Sequence, residues 1–325
     1  MKRYGIHHPM TDLGRPFKVL SMGNESKSRP RRYTLFGTVL EATQAAPGLH
    51  LVATPIGNLA DITLRALEVL AGADVVACED TRVTRKLMDR YRIATPLTPY
   101  HEHNAAEARP KLLARLAADQ AVALVSDAGT PLISDPGYKL VHAAREAGHA
   151  VTVLPGASSV LAALSVAALP TDRFFFEGFL PVRQAARQKR LSTLANIPAT
   201  LVLFESGTRL SSTLADLAAI FGARVAAICR ELTKLHEEVR HDDLEALARD
   251  YAGEAETRGE FVIVVAPPAN IEERTDDIDV LLRQALARVS VKEAVGEVAL
   301  VTGRPRREVY QRALALSRHA SDDDE

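Results

Sequence analysis

The chain has 325 residues, of which 47% are hydrophobic and 25% charged, enough for two ordinary globular cores. Its formal net charge of -1 excludes a globally basic nucleic-acid binder, so any such surface has to be a local patch. No apolar run reaches the ~18–20 residues of a bilayer span, and the start lacks the apolar centre of a secretory signal, so a cytoplasmic address with no membrane partner is expected.

Residues 1–47 have no sustained periodicity, and their basic run Lys27-Ser28-Arg29-Pro30-Arg31-Arg32 reads as part of a disordered leader without assigned function. From Leu49 the pattern changes. Residues 49–53 form an apolar strand, 54–58 a Pro/Gly loop, and 61–71 a helix that Asn58 or Asp61 can cap. A second strand, 74–78, ends in Glu79-Asp80-Thr81-Arg82 and leads into another helix. Residues 96–104 read as a polar connection, and the next helix is expected to start near Pro110, a residue suited to a first turn.

The strand 121–125 then opens into the long small-residue loop 126–137. A helix over 138–147, a strand over 150–154, the loop Pro155-Gly156-Ala157-Ser158-Ser159 and a helix to about 169 follow. Strands separated by helices imply a mostly parallel sheet. Beyond an interruption at Leu169-Pro170-Thr171-Asp172, strands are expected near 173–177, 200–204, 224–228 and 261–265, with helices near 183–196, 210–221 and 244–251. Pro267-Pro268 ends this second α/β domain, and three short helices (277–289, 291–302, 305–317) resemble a helix-turn-helix unit before a frayed acidic tail. The expected domains are therefore 48–169, 170–268 and 269–325. Cys78 and Cys229 sit in apolar runs and read as reduced core residues.

The chemistry is expected where strands of the first half end in loops, since open α/β sheets bind ligands at the carboxyl ends of their strands. Three such loops carry Pro, Gly, Ser and Thr: 54–58, 127–137 and 155–159. None contains Gly-Lys-Ser/Thr, and no Gly-x-Gly-x-x-Gly follows the first strand, so a ligand not held by phosphate is favoured. Backbone groups and hydroxyls, with Asp127, Thr130 and Ser134 as directed polar contacts, suit a nucleoside bearing an amino-acid tail, such as S-adenosylmethionine.

Several segments carry a resemblance: Leu51 through Leu59 (Leu-Val-Ala-Thr-Pro-Ile-Gly-Asn-Leu), Cys78-Glu79-Asp80-Thr81-Arg82, Tyr100-His101-Glu102-His103-Asn104, Ser126 through Gly137, and Pro155-Gly156-Ala157-Ser158-Ser159. Phe204-Glu205-Ser206, Cys229 through Glu237, and Gly259-Glu260-Phe261 extend it. Together they resemble the tetrapyrrole-methylase superfamily, and more narrowly its ribosomal branch, the ribosomal RNA small subunit methyltransferase I family of 16S rRNA 2′-O-ribose cytidine methyltransferases. The resemblance implies a homodimer of two-domain chains, with a mostly parallel sheet in the first domain, a mixed sheet in the second and S-adenosylmethionine in the cleft between them. It implies a cytidine in the decoding region of the 30S subunit as acceptor. By position it implies cofactor contacts at Pro55, Ala128, Gly129, Thr130, Ile133, Ser158 and Ser159, to which the loops add Gly57 and Asp127. Glu205 and residues 229–231 fall where the second domain closes over the cofactor.

A ribose hydroxyl is a weak nucleophile until its proton leaves, so a base beside it helps. Candidates are Glu79, Asp80, His101, His103 and Glu205; Glu79-Asp80 can equally cap the next helix and pair with Arg82 or Arg85. Two histidines at i and i+2 are too few for a metal site, so no metal is expected. Phe174-Phe175-Phe176 reads as core, with base stacking as the alternative. Positive charge for RNA is offered by Arg183, Arg187, Lys189 and Arg190 on one helix, and by Arg304, Arg306, Arg307 and Arg312 at the end. Two competing functions remain open, a tetrapyrrole C-methyltransferase and a non-catalytic ribosome-assembly factor that keeps a cofactor fold.

Overall fold

The computed structural model describes residues 30–253, 258–268, 275–302 and 304–322. Positions 27–29 of the basic run, Gly303 and the acidic positions 323–325 lie outside the described residues. From residue 30 on, the expectation of a disordered leader is corrected. Strands β1 (Arg32–Leu35) and β2 (Thr38–Glu41) form an antiparallel hairpin. Its two-residue turn, Phe36-Gly37, has both φ angles positive, the geometry that matches strand twist in tight hairpins. Tyr33 is buried in the first core, the Thr34 amide donates to the Tyr91 carbonyl at 2.7 Å, and Arg31 pairs with Asp74 at 2.8 Å. Strands this short, each with one face in solvent, leave no periodic signal.

The first sheet contains β3 (Gly48–Val52), β4 (Val75–Cys78), β5 (Leu97–Pro99), β6 (Ala121–Val125) and β7 (Val151–Leu154), in the order β5-β4-β6-β3-β7 and parallel throughout. The central strand β6 is buried at every position, which explains its unbroken apolar sequence: helices cover both faces. Each buried Val or Leu there contributes roughly 1.5–3 kcal/mol. Strand β5 falls inside the stretch read as a connection; at three residues ending in Pro99 it is too short to stand out.

The helices of this half are α1 (Leu64–Gly72), α2 (Thr81–Arg90), α3 (Ala105–Ala117), α4 (Tyr138–Glu146) and α5 (Ser159–Val166). Two starts differ from expectation. Asn58 caps a short 3-10 turn, Leu59–Asp61, while Thr63 caps α1. Helix α3 begins at Ala105 with Pro110 in its interior, because the preceding turn is already closed: the Ala105 amide donates to the His101 carbonyl at 2.9 Å, and Asn104 Oδ1 accepts from the His101 amide at 2.8 Å.

The second sheet is mixed. Strands β8 (Phe174–Phe179), β9 (Thr200–Ser206), β10 (Val225–Arg230), β11 (Glu238–Asp243) and β12 (Glu260–Val265) take the order β11-β10-β12-β9-β8, with only β8 and β9 parallel. The sequence pattern missed β11, an edge strand reading Glu-Val-Arg-His-Asp-Asp. Helices α6 (Gln184–Leu194), α7 (Gly207–Phe221) and α8 (Leu244–Ala252) cover one face around Leu201, Leu203 and Ile263. The other face, with Val202, Ala227 and Val264, takes Val160, Ala163 and Leu164 of α5, so a helix of the first half sits on the second sheet. That contact sets the two halves against each other.

Helices α9 (Thr275–Leu286), α10 (Val291–Thr302) and α11 (Arg306–Asp322) enclose their own small core around Leu282, Val298 and Ala313. Ser290 and Glu293 exchange hydrogen bonds at the start of α10, a capping box, and Arg312 grips Asp279 through two bonds of 2.7 Å to tie α11 to α9.

Candidate active site

The three strand-end turns meet. Thr54, just after β3, and Gly129, after β6, form an isolated antiparallel bridge, and the Thr54 hydroxyl donates to the Ser126 carbonyl at 3.2 Å. The Thr130 hydroxyl donates to the Ala157 carbonyl at 3.3 Å, which fastens the β6 turn to the β7 turn. Gly129 needs its lack of a side chain, because its φ is +80° and a Cβ would sit 3.3 Å from Ile56 Cγ2. Leu132 and Ser134 also hold positive φ angles, of 76° and 60°, in the same loop. Such strain, about 1–3 kcal/mol per residue, gathers at binding sites.

Between these turns and the second sheet lies a cavity of about 410 Å3. Of the expected cofactor contacts, Asp127, Ala128, Gly129, Thr130, Ile133, Ser158 and Ser159 line it. Pro55 and Gly57 do not; Ile56, between them, does. Gly57 instead meets the second half: a Cβ there would lie 2.5 Å from Lys234 Cγ and 2.8 Å from the Leu232 carbonyl oxygen. Beside it, the Asn58 amide donates to the Thr233 hydroxyl at 3.0 Å. Its role is close approach between halves.

The proposed bases separate. Asp80 does what a capping residue does: it accepts from the Arg82 amide at 2.7 Å and pairs with the Arg82 guanidinium at 2.7 Å. Those bonds hold its carboxyl down to about 2, and it is outside the cavity wall. Glu79, His101 and His103 also lie outside the wall. Burial first, then the Asp127 charge, pushes the Glu79 carboxyl up, while His101 pulls it down. His101 keeps a buried Nδ1 with no protein partner, and His103 is exposed with its ring centroid 6.0 Å away. Among the described residues, no three His, Cys, Asp or Glu side chains are grouped as a metal would require.

Glu205 does line the cavity and is 2% exposed. Its two oxygens are already engaged by the Ser206 amide at 2.8 Å, the Thr213 hydroxyl at 2.7 Å and Arg209 at 3.3 Å. A carboxylate so occupied is a fixed post in the wall.

Sequence reasoning missed Asp135. It lines the cavity, and burial, reinforced by the charges of Glu79 and Asp127, raises its carboxyl to about 6 against a hydrogen bond from Ser126. Within Ser-Asp-Pro-Gly it carries only a turn signal, so nothing in the sequence alone separates it from a loop residue. The Lys234 cluster was also missed. Lys234 Nζ lies 2.9 Å from Glu231 and 2.8 Å from Glu260, and lines the wall. Burial opposes the ammonium, but the two carboxylates outweigh it and raise Lys234 above its ordinary range.

The two basic stretches differ. On α6, Arg187 is 4% exposed and pairs with Asp216 at 2.6 Å, and Arg190 pairs with Glu177 at 2.6 Å. These arginines hold the second domain together. At the end of the chain Arg304 pairs with Glu308 and Arg312 with Asp279, whereas Lys292, Arg306 and Arg307 are exposed around one recess shared with Tyr310.

A parallel five-stranded sheet, a mixed one and a cavity at their junction define a two-domain α/β architecture, and the family match shows it to be of the methylase class. The profile described as Tetrapyrrole (Corrin/Porphyrin) Methylases matches residues 48–248, and that described as RsmI C-terminal HTH domain matches 272–317. Among solved structures, a cobalt precorrin-4 methyltransferase of cobalamin biosynthesis superposes with a TM-score of 0.51 at 19% identity, covering 67% of this chain and 94% of that one. Ribosomal RNA small subunit methyltransferase I of Mesorhizobium japonicum is 52% identical over 86% of this chain and 95% of its own. The protein of the same name from Xylella fastidiosa is 45% identical over 82% and 99%. The chain belongs to the ribosomal RNA small subunit methyltransferase I family within the tetrapyrrole methylases.

Proposed function

We propose that this protein transfers a methyl group from S-adenosylmethionine to the ribose 2′-hydroxyl of a cytidine in the decoding region of 16S rRNA. The observation that carries it is likeness to a small-subunit methyltransferase over 280 residues at 52% identity, 86% of this chain, together with the match of the helical unit to the RsmI C-terminal HTH domain. The tetrapyrrole acceptor has only shared fold behind it, at 19% identity.

The cavity fits the cofactor. Its volume is in the ~300–1,000 Å3 range of small-molecule sites. Backbone at Ala128 and Gly129 approaches closely, and the first amides of α5 at Ser158–Ser159 offer donors for an amino-acid carboxylate. Bound there, S-adenosylmethionine supplies an electrophilic methyl on a sulfonium. The chain's own residues do the rest. The converging turns fix position, which can supply much of the acceleration of an in-line displacement. Ile56, Val160 and Phe204 exclude water from the wall. Asp135, a carboxyl balanced near neutrality, accepts the hydroxyl proton and later releases it to solvent.

Phosphate contacts are assigned to Lys292, Arg306 and Arg307, which are exposed around one recess and, among the described residues, share it with a single carboxylate, Glu293, itself bonded to Ser290, whereas Arg187 and Arg190 are held in ion pairs. Self-association into a homodimer is supported by exposed Leu64, Val153 and Leu161 near the edge strand β7. Acting on ribosomal subunits, the enzyme is expected to work in the cytoplasm.

The test is transfer of labelled methyl groups to 30S subunits lacking the modification, to free 16S rRNA and to a tetrapyrrole precursor. Label in an alkali-resistant dinucleotide is expected. Label confined to the tetrapyrrole would overturn the proposal, and cofactor binding without any transfer would favour an assembly factor.

A further inference from the structure

Strand β8 runs parallel to β9 with Phe175 opposite Leu201 and Phe176 opposite Val202. Opposite residues share a face, so Phe175 joins the helix-covered core and Phe176 the face turned to α5. Simple alternation would then send residue 179, two pairs beyond 175, into the helix-covered core. It does not go there. The register slips between Phe176 and Gly178, and Phe179 comes to lie opposite Phe204 on the cavity side. A bulge of this kind re-aims a side chain.

The bulge is tightly specified. Gly178 has φ +75°, and a Cβ on it would fall 2.9 Å from Ser134 Oγ in the cofactor-side loop. Its product is an aromatic ring 58% exposed in the wall of a cavity. The ring is not loose: Phe204 meets it edge-on at 5.6 Å and 65°, and Phe176 braces Phe204 at 4.9 Å and 66°. The first half contributes Ile133, also exposed, and Asp135 to the wall of the same cavity. A planar apolar face held still and exposed in the wall of a cavity suits a ligand with a π-face of its own.

We infer that Phe179 is the stacking platform for the base of the target nucleoside, which is swung out of the RNA so that its ribose reaches the cavity. The assignment depends on RNA being the acceptor. The base is assigned to it in preference to the cofactor's adenine because Phe179 is an exposed residue of the wall, open to a macromolecule, whereas Gly129, Thr130, Ser158 and Ser159 are buried or half-buried. Of the run Phe174–Phe176 singled out by sequence as core, Phe175 and Phe176 pack against the two cores, Phe176 supplies the support, and Phe174 is exposed. Base–aromatic stacking is sequence-tolerant and is lost when the ring is truncated.

The experiment uses Phe179→Ala, Phe179→Leu, Phe179→Tyr and Phe179→Trp. Phe179→Ala is expected to lower kcat/KM for unmethylated 30S subunits by about 10- to 100-fold, with S-adenosylhomocysteine affinity by calorimetry within about twofold of the wild type. That retained affinity also reports a folded variant. Tyr should restore the rate and Leu should not, since Leu keeps apolar surface without a π-face. The chain contains no tryptophan, so Phe179→Trp supplies a single reporter. Its fluorescence should be quenched by a 16S rRNA transcript and left unchanged by S-adenosylhomocysteine alone. Equal rates for Ala and wild type, rescue by Leu, quenching by S-adenosylhomocysteine, or RNA retained on filters without quenching would each overturn the assignment. A wild type that methylates no RNA would overturn it together with the proposed function, and is told apart by failing before any variant is made.

Discussion

Thr54 and Gly129 lie 75 residues apart in sequence and exchange two backbone hydrogen bonds, of 2.9 and 3.0 Å, across the ends of neighbouring parallel strands. This single bridge turns two separate loops into one wall. Gly129 holds its place in that bridge at φ +80°, with Ile56 Cγ2 3.3 Å from where a Cβ would sit, so a side chain there is strained.

Gly129→Val should therefore abolish S-adenosylhomocysteine binding, with at least a 100-fold weaker Kd on the order of 3 kcal/mol, because a branched side chain is strained at φ +80° and presses on Ile56. The fold should survive, since the residue is in a loop. Calorimetry alongside circular dichroism checks this; undiminished affinity in a folded variant removes the loop from the site.

Asp135 gives a pH signature. With its carboxyl at about 6, the enzyme loses its proton acceptor as pH falls through that value, so the rate should rise through pH 6 and level above it. Asp135→Asn should be slower and flat over the same range. Stability runs the other way. The folded state holds the proton more tightly than the unfolded chain, so between the ordinary carboxylate range and about 6 stability falls as pH rises. The melting temperature of Asp135→Asn relative to wild type should therefore become more favourable from pH 4 to pH 7.5. A rate profile for wild type with no inflection near 6 would remove Asp135 from the role of base.

Arg187 is buried against Asp216 and is a structural residue. Removing one partner of such a pair leaves an uncompensated charge, so Arg187→Ala should lower stability by about 3–5 kcal/mol in urea titrations. Replacing Arg187 and Asp216 together with apolar residues should cost much less. A small effect of the single change would return α6 to the list of RNA-contacting helices.

Lys292, Arg306 and Arg307 should behave oppositely. Changing all three to Gln is expected to leave the melting temperature and S-adenosylhomocysteine affinity alone. RNA affinity should fall at low salt, and the slope of log K against log salt should shrink by about 2–3, near 0.7–0.9 for each lost phosphate contact. An unchanged slope would move the phosphate contacts elsewhere.

The sequence disclosed the first sheet because its strands are apolar on both faces and end in loops rich in small residues; β6 and the turn through Gly137 are the clearest instance. It hid β5 and β11, the one too short and the other too charged, and the hairpin at Tyr33, whose burial is visible only against α1 and Tyr91. At the site, Gly129 and Ser158 were legible as small residues at strand ends. Gly57 was legible as a glycine but not as a contact with Lys234, which depends on the far half of the chain. Asp80 was legible both as cap and as acid, and geometry chose the cap. Asp135 and Phe179 were not legible, because one owes its character to burial and neighbouring carboxylates and the other to a slipped register.

The central claim is that backbone-lined turns of the first sheet hold an adenosyl sulfonium at the junction with the second. A crystal structure with S-adenosylhomocysteine tests it most directly. The expected result is ligand in the cavity, in hydrogen-bonding reach of backbone or side-chain groups of Gly129, Thr130 and Ser158–Ser159, with the Phe179 ring left uncovered. Ligand bound at the helical unit or on another face, with that cavity filled only by water, would contradict it.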